Sequence, residues 1–204
     1  MLKNRALWLK SIFVGGIVAL AFPFALLMGS YVNAGYGLSV DNNKTLDFVW
    51  QDTRGVAHDF SALNSDAVYL MMGFFSCSDV CPIRVHQLQQ LSEQLDEQMP
   101  NSNVRFFMIT LDPFNEPAAV RERYFAGLSE RFVSASVDDK TLSRLQSQLG
   151  ERVRQIGDTK THAGQLYLFN KDKHLVRLYS QLTQPKGALF NDLTTSTELL
   201  RKTL

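Results

Sequence analysis

Ala67-Val68-Tyr69-Leu70-Met71-Met72-Gly73-Phe74-Phe75 is a nearly unbroken apolar run, and it leads straight into Ser76-Cys77-Ser78-Asp79-Val80-Cys81-Pro82. A run of strand-forming residues with no polar alternation suits a strand buried on both faces. Beyond the cysteines, Val85, Leu88, Leu91, Leu95 and Met99 recur at helical spacing. Pro82 falls near the first turn of that helix, where a missing N–H costs little. The segment therefore reads as a buried strand, a short junction holding two cysteines, and an amphipathic helix.

Working outward from this unit, Val104 to Leu111 is a second buried strand. Asn115 can cap a helix from Glu116 to about Ala126, with Pro117 in its first turn. Phe132 to Val137 reads as a third strand, and Asp138 or Asp139 can open a helix that Gly150 closes. Gln165 to Phe169 and Leu175 to Tyr179 pair as a hairpin about Asn170-Lys171-Asp172-Lys173, and a weakly periodic helix follows Pro185. Upstream, Leu46 to Trp50 and Val56 to Phe60 flank a turn at Gln51 to Gly55, a further hairpin. Strands alternating with helices, closed by a hairpin, predict an α/β domain with a mostly parallel sheet. Ligands of such sheets collect beyond the carboxyl ends of the strands. Cys77 and Cys81 stand at that kind of junction.

The N-terminal residues predict a membrane anchor. Lys3, Arg5 and Lys10 precede the uncharged stretch Ser11 to Val32, and no charge appears until Asp41. Residues 11–32 as a helix span roughly 33 Å, matching a bilayer's hydrocarbon core. Trp8 and Tyr31 lie near the two ends, where aromatic rings favour the interface, and Pro23 is tolerable in a membrane helix. The basic flank predicts a cytoplasmic N-terminus and an extracytoplasmic domain. The other reading is a cleaved signal peptide cut near Val32-Asn33-Ala34, and it delivers the domain to the same side. An Arg- and Ser-rich presequence is absent, which favours a bacterial inner membrane with a periplasmic domain over a mitochondrial inner membrane. The expected organisation is a cytoplasmic N-terminus and transmembrane anchor over 1–32, a flexible tether over 33–45, and the domain over 46–204.

Length and charge set outer limits. The 204 residues allow one domain plus an appendage. With 21 basic and 20 acidic residues well mixed, there is no single-sign field to gather a polyanion, which argues against nucleic acid as a partner.

The two cysteines are four residues apart. In the first turn of a helix they would share one face, so both sulfurs could meet one metal ion or each other. A helix N-terminus favours thiolate, and Asp79 opposes it. A purely structural disulfide would close so short a loop that it stabilises little. Among the histidines, His86 falls on the opposite helix face, and His58 and His174 sit in or beside hairpin turns as surface residues. His162 ends the polar segment Glu151 to Thr161, directly ahead of the strand near Gln165. If that strand runs antiparallel to the central ones, the imidazole can close a site of two sulfurs and one nitrogen. Such a soft set suits copper in either oxidation state, and zinc remains open although only three donors are in view.

These residues resemble the Sco/SenC family of membrane-anchored, thioredoxin-like copper chaperones for cytochrome oxidase assembly. The resemblance runs from about Leu46 to Tyr179, plus the anchor. It rests on Gly73-Phe74-Phe75 followed by Cys77-x-x-x-Cys81-Pro82, on Thr110-Leu111-Asp112-Pro113, on the helix to Tyr124, and on His162 ahead of Tyr167-Leu168. It implies a thioredoxin-like mixed sheet with flanking helices, and copper, Cu(I) or Cu(II), held by Cys77, Cys81 and His162. There are departures: Ser78 stands where the family usually has proline, and Thr161 where an acidic residue commonly precedes the histidine. Asp112 is then a candidate to orient the ring, the other reading being a turn at the strand end before Pro113.

Three functions are in play. The first is a copper carrier serving the copper-bearing subunit of an oxidase on the same membrane, with the loop Glu151 to Thr161 ordering on loading and Val80, Ile83 and Phe114 forming a docking rim. In this reading the protein is a metallochaperone and not an enzyme. The second is a thiol–disulfide oxidoreductase in which Cys77 and Cys81 act without metal. The third is a non-catalytic accessory subunit of a membrane complex, for which both cysteines would be dispensable.

Overall fold

The structure, a computed structural model, describes residues 35–40, 45–75, 77, 80–156 and 159–197. The expected anchor over 11–32 and the residues Ser78 and Asp79 lie outside this set. Among the described residues no helix is long and apolar enough to cross a membrane.

The central run becomes β4 (Ala67–Gly73), buried at every position. Before it come β1 (Leu38–Ser39), β2 (Val49–Gln51) and β3 (Ala57–Asp59). After it follow α1 (Val80–Gln98), β5 (Val104–Thr110), α2 (Ala118–Phe125), β6 (Phe132–Ala135) and α3 (Asp139–Leu149). The chain then forms β7 (Val153–Ile156), β8 (Thr159–His162), β9 (Leu166–Asn170), β10 (Leu175–Tyr179) and α4 (Ala188–Ser196). The main sheet has six strands in the order β1-β10-β9-β4-β5-β6.

The expected mostly parallel sheet is corrected to a mixed one with two parallel and three antiparallel pairings. β4 pairs in parallel with β5, and β5 with β6, but β9 pairs antiparallel with β4, β10 with β9, and β1 with β10. The reason is the terminal hairpin: β9 docks directly on β4, so the half of the sheet beyond β4 is built by antiparallel neighbours. β1 also lies inside the stretch whose Gly- and Asn-rich composition predicts a tether. Its packing is fastened by Asp192, whose carboxylate accepts from the N–H groups of Tyr36 and Gly37 at 2.8 and 2.6 Å. The folded domain thus begins near Tyr36, ahead of Leu46.

Successive residues of β4 face opposite sides, and both sides are packed. Val68, Leu70 and Met72 meet Phe107 and Ile109 of β5, the β2–β3 hairpin through Trp50 and its neighbours Phe48 and Phe60, and Leu142, Leu145 and Leu149 of α3. Tyr69 and Met71 meet Leu88, Leu91 and Leu95 of α1 and Leu189 and Leu193 of α4. That sandwiching explains why the strand carries no polar alternation. Helix ends follow the expected chemistry at α3, where Asp138 accepts from Thr141 N–H and Gly150 closes in the left-handed region. At α2 they do not: Pro117 takes the cap position without a side-chain bond, and Asn115 instead donates to Asp112 Oδ2 at 2.9 Å.

Candidate metal centre

β4 ends at Gly73, and the chain turns there so that Cys77 N–H donates to Phe74 C=O at 3.2 Å. Helix α1 begins only at Val80, so Cys81 lies in its first turn while Cys77 precedes it. The two sulfurs therefore do not share a helix face as the spacing alone suggests. They are brought together by the turn leaving the strand, with Cys81 fully buried and Cys77 half-buried. A buried carboxylate braces this turn. Glu116 Oε1 accepts from Phe75 N–H at 2.5 Å, and its other oxygen accepts from the Thr110 hydroxyl at the end of β5.

The third donor arrives from the other half of the sheet. The antiparallel run of β9 against β4 puts the start of β9 at the edge where the cysteines emerge. His162, the last residue of β8, is carried there by the short connection Ala163-Gly164-Gln165. Its Nε2 lies 3.2 Å from Cys81 Sγ, and its ring meets Phe74 edge-on at 5.6 Å between centroids. The ligand atoms of Cys77, Cys81 and His162 all lie within 4.8 Å of one another. This two-sulfur, one-nitrogen set is soft and three-coordinate, which fits copper better than structural zinc with its usual four donors.

The approach of β9 is locked in place. Gly164 has φ +63°, and a Cβ there would come 1.9 Å from Val80 Cγ1, so only glycine lets the connection lie against the start of α1. The wholly buried Arg84 of α1 reaches back, donating from Nε to Gly164 C=O and from Nη2 to Tyr179 C=O, both at 2.9 Å. Burial lowers its pKa to about 10, against the pull of Tyr36 and Glu151.

Burial also decides the state of Cys81. Loss of water is the largest influence, followed by the neighbouring Cys77, and together they push its thiol well above the usual range. The tendency to thiolate expected from the helix N-terminus is thus overturned for Cys81, because one turn of helix dipole is weak beside full desolvation. The same burial raises Tyr124, with Cys81, Cys77 and Glu116 adding to it.

Of the four histidines, only His162 joins the sulfurs. His86 is exposed on α1 and contacts Gln90, as expected. His58 stacks on Trp50 at 4.6 Å, and His174 bridges to Thr45. The segment Glu151 to Thr161, expected as a loop, holds the two-stranded hairpin β7–β8 with Val153 opposite His162. Of the expected rim, Phe114 is 90% exposed and Ile83 40%, whereas Val80 is buried. The carboxylate beside the imidazole is Glu151, with Oε1 3.3 Å from Nδ1. Asp112 instead accepts from Asn115 and donates its N–H to Thr110 Oγ1. Glu151 and Glu116 escape sequence reasoning, because each is a lone acidic residue with no motif around it, and its partner at the site, His162 or Phe75, stands 11 or 41 positions away.

The SCO1/SenC family model matches residues 38–198. The bovine protein SCO2 homolog, mitochondrial, is 24% identical over 141 residues, covering 66% of this chain and 53% of its own. The human counterpart is 25% identical over 132 residues, covering 62% and 50%. The chain thus spans about half the length of the curated relatives it matches. Among solved structures, Arabidopsis thaliana ScoI with copper bound superposes with a TM-score of 0.66 at 15% identity, over 78% of this chain and 98% of that one. BsSco, a member of the Sco family of cytochrome c oxidase assembly proteins in which a disulfide switch was identified, gives 0.63 at 18% identity, over 78% and 96%. These likenesses show the thioredoxin-like Sco fold, with a central mixed sheet and, among the described residues, four helices.

Proposed function

This chain belongs to the SCO1/SenC family, and from that premise we infer that it is a metallochaperone: it binds copper through Cys77, Cys81 and His162 and serves assembly of the copper centre of a respiratory cytochrome oxidase. The observation that carries the reading is the convergence of two sulfurs and one imidazole nitrogen within 4.8 Å at the mouth of the sheet. Three donors leave the ion open to attack by a partner's ligands, so cargo can pass by ligand exchange. Exposed Phe114 and Ile83 supply apolar surface for a partner. The reading includes an anchored chain with its domain outside the cytoplasm, at a bacterial inner membrane, where the tether raises the effective concentration near an oxidase.

The test uses the full chain in detergent, fully reduced and anaerobic, with Cu(I) affinity measured against a competing chelator. His162→Ala should weaken binding by at least tenfold, and Cys77→Ser with Cys81→Ser should abolish it. Unchanged affinity in His162→Ala would remove the histidine from the site.

A second reading is favoured by the asymmetry of the pair: a half-buried Cys77 in front of a buried Cys81. In it Cys77 attacks a target disulfide, a mixed disulfide forms and one target thiol leaves. Cys81 then displaces the second target thiol, so the target gains two electrons and this chain keeps a Cys77–Cys81 disulfide. An external dithiol must reduce that bond for turnover. His162→Ala should leave this exchange largely intact, which separates the two readings.

A further inference from the structure

We propose that Glu151 is a positioning residue for His162: its carboxylate holds the imidazole proton on Nδ1 and so aims the free Nε2 lone pair at the sulfur pair. The proposal rests on the reading of Cys77, Cys81 and His162 as a metal site, and it concerns a residue fifteen positions ahead of β9, just outside the base of the β7–β8 hairpin.

Glu151 follows Gly150, whose left-handed conformation ends α3 and turns the chain inward. Glu151 N–H donates to Gln146 C=O at 2.9 Å, which fixes the backbone at that turn. The side chain is then wholly excluded from solvent, as is that of His162. Oε1 lies 3.3 Å from His162 Nδ1. The same oxygen accepts from Ala163 N–H at 2.8 Å and from Gly164 N–H at 3.3 Å. On the far side Tyr167 Oη stands 3.5 Å from Oε2. A carboxylate tied to the two residues after the histidine cannot swing away from the ring.

The tautomer follows from what each atom can donate. Nδ1 faces both the Glu151 carboxylate and Gly164 N–H, the latter at 3.1 Å. If Nδ1 lacked a proton, it could still accept from Gly164 N–H, but its lone pair would face the acceptor-only Glu151 carboxylate at 3.3 Å inside the protein, a repulsive pairing that a proton on Nδ1 turns into a hydrogen bond. With a proton on Nδ1, the ring donates to Oε1 and Gly164 N–H turns to the same oxygen. Nε2 is left as an acceptor 3.2 Å from Cys81 Sγ, and the buried neutral thiol can donate its S–H to it. The donors and acceptors then run in one direction, from Cys81 through His162 to Glu151. An imidazole ligand needs this arrangement, since a metal takes the lone pair of one ring nitrogen while the other donates to an orienting acceptor.

Topology adds a consequence. Val153 and His162 are the closing pair of the β7–β8 hairpin, so Glu151 and His162 sit on either side of its base. The bond that orients the ring also fastens the hairpin, and ring orientation is coupled to hairpin closure.

The experiment reads the apo, reduced full chain in detergent, labelled with 15N-histidine, by long-range 1H–15N correlation, and then the Cu(I) affinity by chelator competition. Wild type should show His162 as the Nδ1–H tautomer. Glu151→Ala should move it toward the mixture of free imidazole and weaken copper binding roughly tenfold to a hundredfold, the range for loss of an orienting partner. Glu151→Gln keeps an oxygen facing Ala163 N–H and Nδ1, and should retain the tautomer with less than about tenfold loss of affinity. An Nε2–H tautomer in wild type overturns the proposal even if Glu151→Ala fails to fold. So does an unmoved tautomer in a folded Glu151→Ala. If wild type binds no copper but the tautomer shifts as stated, the metal reading fails and the positioning role stands.

Discussion

Gly73 and Cys81 are in direct contact: a Cβ built on the glycine would stand 2.6 Å from Cys81 Sγ. The central strand thus ends in the residue type that makes room for the buried sulfur. The same Gly73 pairs with Thr110 of β5, whose hydroxyl holds Glu116 and through it the Phe75 N–H. Strand end, sulfur and supporting carboxylate form one packed unit. Gly73→Ala should cost about 1–3 kcal/mol by overpacking, since Met108 Cε at 3.2 Å blocks the other side. It should also displace Cys81 and weaken metal binding. Urea unfolding checks the first effect and chelator competition the second. A variant as stable and as tight as wild type would show that the sulfur need not pack there.

Arg84 holds the two carbonyls that fix the course of β9 and β10 around the site. Arg84→Met keeps much of the volume but strands the carbonyls of Gly164 and Tyr179. Each buried acceptor left unmade costs about 1–3 kcal/mol, so the variant should lose a few kcal/mol in denaturant unfolding. Arg84→Lys should recover only part of this, because one ammonium cannot reproduce the fork. Full recovery by Lys would show that charge, and not the bidentate span, is what matters.

How much of this arrangement the sequence reveals depends on the range of the physics behind each element. The βα unit from Ala67 to Met99 is legible because burial on both faces erases polar alternation, and because helix periodicity is local. The cap at Asp138 and the stop at Gly150 are legible for the same reason. The convergence of His162 with the cysteines is inferable only through strand direction, and it depends on β9 running antiparallel to β4. The antiparallel half of the sheet and the inclusion of Leu38–Ser39 are not legible, since edge pairing is set by backbone hydrogen bonds that leave little trace in side chains. Glu151 is invisible for a further reason: its partner is eleven positions away across a hairpin whose sequence carries no signal of that pairing.

Alkaline instability should be pronounced. Burial, the largest influence in each case, raises Tyr69, Tyr167 and Tyr179 well above the usual phenol range. Cys81 is raised likewise. The unfolded chain releases the thiol proton near pH 8.5 and the phenol protons near pH 10, while the folded chain keeps them. The unfolded state then binds fewer protons, so stability falls as pH rises. The contribution is fully present below about pH 8 and declines above it, by at most about 1.4 kcal/mol per pH unit for each group. Urea unfolding at intervals from pH 7 to 11 reads this, and a flat profile would show that these groups ionise within the fold.

Metal loading should carry the opposite pH dependence. The apo site holds Cys81 as a neutral thiol, its pKa raised first by burial and then by Cys77. A metal binds the thiolate, so loading must expel that proton. Raising the pH makes expulsion easier, and lowering it lets protons compete with the ion. Between pH 6 and 8 the apparent Cu(I) affinity of the reduced chain should therefore rise about tenfold per pH unit for each proton released. Cys81→Ser removes the group with the raised pKa, so the remaining slope should be shallower as well as the binding weaker. The check is chelator competition at several pH values, with proton release in weak buffer as an independent count. A slope of zero in wild type would mean that Cys81 is already ionised in the apo fold, and the burial argument for its neutral state would fail.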